Sequence, residues 1–164
     1  MSFPYQLLNA FWHTTSVNRY QSIIDSGFIK PEPNIKGHRW GVGMGPSHYP
    51  FVRKIGGVSI FDFFGFEPEQ YSKKFPVSSW RSFVPIQKNW NQAIWIKLSP
   101  VKMPGKFLKG LELRKMQWDL NALKNKLMPR IECAHIGPIP IKAFVQILLY
   151  DQEQGFSEID TPDT

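Results

Sequence analysis

Residues 11–29 read FWHTTSVNRYQSIIDSGFI, and this stretch sets the architecture. Phe11 to Thr15 has the aromatic and β-branched content of a strand. Ser16 then offers a side-chain oxygen that can cap a helix. Val17, Tyr20, Ile23 and Ile24 follow at helical spacing, giving one apolar stripe. Gly27 fits the left-handed position that closes a helix, and Phe28 and Ile29 return the chain to the core. The reading is strand, helix, strand, with His13 at the end of the first strand beside the helix N-terminus. A lone strand histidine is more often a satisfied core group than a ligand, so its role depends on what the rest of the chain brings to it.

Working outward, "GGVSIFDFF" (Gly56–Phe64) predicts a strand with Val58, Ile60 and Asp62 on one face and Ser59, Phe61 and Phe63 on the other. "QAIWIKLSP" (Gln92–Pro100) predicts another strand, and "RIECAHIG" and "AFVQILLYD" two more, joined through "PIPI". Between Phe64 and Asn91 the periodicity is unclear, and short helices and loops are expected there. Leu113, Met116, Leu120, Leu123 and Leu127 recur at three- and four-residue steps, which predicts one long helix over 111–128, ended by Pro129. Several strands and two clear helices without βαβ alternation give an α+β class with a largely antiparallel sheet. The stretch from Pro31 to Pro50 reads as a glycine-rich loop carrying Arg39 and Trp40. It lacks the spacing of a phosphate-binding loop or a dinucleotide fingerprint.

The 164 residues suit a single domain, here taken as 1–150 followed by an acidic tail, 151–164. With 42% hydrophobic residues the chain can bury a core, which excludes global disorder. No apolar run reaches the ~20 residues of a membrane-spanning helix, and no secretory signal is evident, so a cytoplasmic location without membrane association is expected. One cysteine, Cys133, excludes an internal disulfide framework and a cysteine-rich zinc site. No His/Cys/Asp/Glu spacing suggests a metal. The net charge is +7, yet the last 14 residues hold five acids and no Lys or Arg, which leaves the body at +12 (20 cations against eight acids). A body that basic attracts polyanions such as nucleic acid or phosphate-bearing ligands.

Glu132 stands inside an apolar strand. A buried carboxylate without a partner is costly. Two readings follow from the residues: an ion pair with Arg130, two positions away, or a carboxylate that faces a cleft and works there.

Three features occur in order: a strand ending in "HTTS" with its helix closing in "SGFI", a middle strand "GVSIFDF", and the late "IECAHIGPIPIKAFVQILLY". Together they resemble the ADP-ribosyltransferase superfamily, and most the small microbial branch of DNA- and RNA-modifying toxins. The resemblance implies a split, largely antiparallel β core with flanking helices, and NAD as co-substrate. It implies that His13 bonds the adenosine-side ribose and that Thr14, Thr15 or the backbone beside them approach the nicotinamide amide. Ser59 would line the nicotinamide ribose pocket, Phe61 or Phe63 would stack on the ring, and Arg39 or Arg53 would hold the pyrophosphate. Glu132 would be the catalytic carboxylate. Arginine-modifying members often carry Glu or Gln two positions before that carboxylate. Arg130 stands there here, which points the acceptor toward nucleic acid. The implied roles are a microbial toxin or phage-defence effector, with an antitoxin or immunity protein as partner. The alternatives are an RNA 2′-phosphotransferase-like enzyme and a noncatalytic nucleic-acid-binding domain.

Overall fold

The computed structural model describes residues 2–31 and 50–163. Its elements are β1 (Phe11–Thr15), α1 (Val17–Ser26), β2 (Phe28–Ile29), α2 (Phe51–Lys54), β3 (Gly57–Asp62), α3 (Pro68–Lys74), β4 (Gln92–Leu98), β5 (Lys106–Leu108), α4 (Gly110–Asp119), β6 (Glu132–Ile136), β7 (Ile139–Pro140), β8 (Phe144–Asp151) and β9 (Gly155–Ile159). Seven strands form one sheet in the order β5-β6-β3-β1-β4-β8-β9, and β2 pairs with β7 in a separate ribbon. Every pairing among the described strands is antiparallel. The expected α+β class with a largely antiparallel sheet is what the chain adopts. Among the described residues no helix is long and apolar enough to cross a membrane.

The two faces of the sheet bury different chemistry, as strand alternation requires. One face is aromatic: Trp12, Phe61, Phe63 and Trp95 pack with Trp80 and Tyr71 from the segment after β3. The buried indoles are satisfied by main-chain carbonyls, Trp12 on Leu7 at 2.9 Å and Trp95 on Pro85 at 2.8 Å. The other face is aliphatic: Ile60, Ile94, Ile96 and Ile147 pack under Ile23 of α1 and under Ile29 and Ile139 of the β2–β7 ribbon. The α1 signals act as read, since Ser16 accepts from the Arg19 N–H and Gly27 sits at φ 82°.

Three expectations are corrected. The long helix over 111–128 stops at Asp119, because Asn121 takes φ 53° and the chain turns back. The buried Gln117 amide then donates to the Asn125 carbonyl at 2.8 Å and anchors the turn. Leu120 and Leu123 are therefore exposed rather than core. Arg130 lies outside β6, at φ 67°, so it does not share a strand face with Glu132. The segment 151–164, read as an acidic tail after the domain, instead continues the sheet: Gly155–Ile159 form the edge strand β9 along β8. Asp151 builds the turn between them by accepting from the Glu153 and Gln154 N–H groups.

Candidate active site

The central feature is a break in the sheet. β1 pairs with β4 along its whole length, from Phe11 to Thr15. Its pairing with β3 covers only Phe11 and Trp12. Beyond Trp12 the two strands part, and among the described residues β1 has no further strand partner on that side. His13 sits at this point. Its Nδ1 lies 2.8 Å from the Ser59 main-chain oxygen. A carbonyl only accepts, so Nδ1 carries the proton and Nε2 keeps a lone pair.

Ser59 belongs to the half of β3 that β1 has left. Its hydroxyl donates to Glu132 Oε2 at 2.7 Å, while the Met128 N–H donates to Oε1 at 2.9 Å. One residue thus touches both sequence-predicted groups, with its carbonyl on His13 and its hydroxyl on Glu132. The register explains the second contact. Phe61 is opposite Glu132 and Ser59 opposite Ala134, so Ser59 and Glu132 lie diagonally on the aromatic face. His13 alternates to the aliphatic side, and it reaches Ser59 only because β1 and β3 diverge there.

Burial gives both groups unusual acidity. Desolvation drives the His13 imidazole down to about 4, against a smaller upward pull from the Ser59 carbonyl, and the Arg19 charge lowers it further. His13 is neutral at physiological pH. Desolvation likewise raises the Glu132 carboxyl above its ordinary value, and its bonds from Met128 and Ser59 oppose that shift in part. Glu132 is 8% exposed. Arg130 is not what holds it, since Arg130 is exposed and its guanidinium lies 5.9 Å from the Phe75 ring centroid. Both carboxylate oxygens already accept one hydrogen bond, and each retains a second lone pair. No protein-family model, curated protein or solved structure matches this chain.

The remaining predicted residues divide. Thr14 is half-buried, and its hydroxyl donates to the Ile94 carbonyl at 3.1 Å. Thr15 is buried. Their contribution to a ligand would be backbone at the open edge of β1, not hydroxyls. Phe61 and Phe63 depart from the expectation of a ring-stacking role. Phe63 has no exposed surface and Phe61 keeps 7%, and the two rings stack on each other at 5.3 Å. They form the floor of the aromatic core, where alternation and high apolar area drive them, and offer no free face to a ligand ring. Arg53 lies in α2, shortly before the turn into β3. Arg39 and the rest of the glycine-rich loop from residue 32 to 49 lie outside the described residues. Cys133 is buried on the opposite face from Glu132, and burial pushes its thiol up to about 12, so it is not a nucleophile.

Tyr71 of α3 was not anticipated. It is buried in the aromatic cluster, and its hydroxyl has no hydrogen-bond partner among the described residues. The Glu132 charge is near enough to act on it: after desolvation, it is the second cause raising the phenol above its ordinary value. A buried hydroxyl without a partner costs stability, and this one lies within electrostatic reach of Glu132, the one buried carboxylate among the described residues. Its segment has no clean periodicity, so nothing in the sequence marked it.

A cavity of about 490 Å³ opens at the N-terminal end of β3, lined by Phe28, Lys30, Pro31, Gly56 and Pro138. That size is within the usual range for small-molecule sites. It does not touch Glu132. Gly56 lies three residues from Ser59, about 10 Å along the strand. Lys30 supplies a cation there.

Proposed function

We propose that the chain is an NAD-dependent mono-ADP-ribosyltransferase whose acceptor is nucleic acid. The observation that carries this reading is the Ser59 bridge: one residue of a split sheet binds a neutral imidazole through its carbonyl and a buried carboxylate through its hydroxyl. The resemblance in order of "HTTS", "GVSIFDF" and "IECAHI" supports the same reading.

Each group has a role that its chemistry suits. His13 Nε2 accepts a hydrogen bond from a ribose hydroxyl. The open edge of β1 past Trp12 offers backbone groups to the nicotinamide amide. Glu132 accepts the 2′-hydroxyl of the nicotinamide ribose. As the glycosidic bond breaks, its electron pair leaves with nicotinamide and the ribose becomes an oxocarbenium-like cation. A carboxylate fixed beside it in a dry site stabilises that charge without reorganising. The acceptor's nucleophile then bonds to the anomeric carbon and gives up its proton, for which Glu132 is the nearest base. The cavity beyond Gly56, with Lys30, suits the phosphate and adenosine end.

The test is transfer of label from NAD to a panel of DNA, RNA and protein, with Glu132→Gln beside the wild type. Loss of a group of this kind costs ~10²–10³ in rate. Label transferred equally by both proteins would exclude Glu132 as the catalytic group.

A further inference from the structure

The outer side of α4 combines exposed apolar side chains with cations. Leu111 is 75% exposed and Trp118 67% exposed, while Leu113 and Gln117 face inward. Residues 111, 114, 115 and 118 fall on one stripe of a helix. Arg114 and Lys115 therefore flank Trp118, and all four are exposed. Arg114 donates to Gln117 at 2.8 Å and Lys115 pairs with Asp119 at 2.6 Å. Exposed contacts of this kind contribute little, and both cations can turn to a phosphate. The chain that turns back after the helix adds two further exposed cations, Lys124 and Lys126. The apolar side chains are interspersed with cations instead of forming a separate apolar face. That is the arrangement of a stacking platform on a basic track rather than of a helix lying in a membrane.

This surface adjoins the candidate site. α4 packs on β6, and its first residue presses on the chain just before Glu132: a Cβ at Gly110 would stand 2.5 Å from the Arg130 carbonyl oxygen. The helix is ten residues, about 15 Å, long. The exposed stripe, from Leu111 onward, therefore begins one residue after the point where the helix meets the chain that leads into β6. We infer that the exposed α4 stripe, with Trp118 as stacking ring and Arg114, Lys115, Lys124 and Lys126 as phosphate contacts, binds single-stranded nucleic acid and leads it toward Glu132. The direction of the track toward Glu132 rests on the proposed transferase reading, and the binding itself does not.

Binding of the full chain to a labelled oligothymidylate of ~12 nucleotides, followed by anisotropy over a range of salt, tests it. Trp118→Ala should weaken binding by roughly tenfold or more at every salt concentration and leave the salt slope unchanged. Lys124→Gln with Lys126→Gln should make the slope of log K against log salt shallower by about 1.4. The inference is overturned if Trp118→Ala binds as the wild type does, if the double lysine variant keeps the wild-type slope, or if anionic vesicles bind and the oligonucleotide does not. Oligonucleotide binding through α4 with no NAD turnover would sink the transferase reading and leave this inference standing. NAD turnover with binding indifferent to α4 would do the reverse.

Discussion

Replacing His13 by Asn should remove a specific acid sensitivity from the fold. The folded imidazole titrates at about 4, against an ordinary value of 6.5. Because the folded value lies below the unfolded one, the unfolded chain takes up the proton first. Stability is therefore unaffected above pH 6.5 and is lost as pH falls from there toward 4. Linkage puts the loss at about 2 kcal/mol by pH 5 and about 3 kcal/mol by pH 4, upper values because His13 is not fully enclosed. For a chain of this length the larger figure corresponds to roughly 6–12 °C in Tm. The substituted amide would still present an N–H to the Ser59 carbonyl from about the Nδ1 position, and it carries no titrating group. The assay is thermal or urea unfolding of both proteins from pH 8 to 4. The difference between the two curves, not their absolute height, isolates His13, because the smaller amide also leaves a small void that costs the same at every pH. Parallel curves from pH 7 to 4 would refute the burial argument and place His13 in water.

Glu132→Gln should stabilise the fold at pH 7–8 and lose that advantage near pH 4. The folded carboxyl lies above its ordinary value, so ionising it costs stability as pH rises, and a neutral amide avoids that cost while remaining able to bond Met128 and Ser59. A pH series of melting temperatures checks this. Tyr71→Phe should leave stability within about 1 kcal/mol of the wild type or raise it, because only an unpartnered hydroxyl is removed. The same variant should lower kcat for NAD cleavage more than it changes KM if that hydroxyl serves the reacting ribose. Gly110→Ala should destabilise by about 1–3 kcal/mol in urea unfolding, since its Cβ would meet Arg130 backbone that leads directly into the β6 ladder.

Local signals in the sequence were sufficient where the fold is decided locally. Ser16 and Gly27 bound α1 because capping chemistry acts within a few residues, and the strand alternation of 57–62 separates Ser59 and Phe61 from Val58 and Ile60 as observed. The failures arise where distant contacts override a local pattern. The leucine spacing through 127 continues past the helix because Asn121 and the Gln117 anchor break it, and no periodicity reports an anchor. The acidic residues after 150 read as a tail because charge suggests solvent, but an edge strand tolerates charge on its outer face. At the site, Glu132 and His13 stand out as polar groups in apolar strands. Their common partner Ser59 rests on register across β3 and β6 and on the parting of β1 from β3, which only the assembled sheet contains. Tyr71 is invisible in the sequence for the same reason.

The most direct measurement is calorimetric titration of NAD into the wild type, Glu132→Gln and His13→Leu. The account predicts saturable binding to the wild type and to Glu132→Gln, and binding weaker by about tenfold or more, the worth of one hydrogen bond to a desolvated acceptor, to His13→Leu, which removes Nε2. Absence of NAD binding to the wild type, or equal binding to all three proteins, would contradict it.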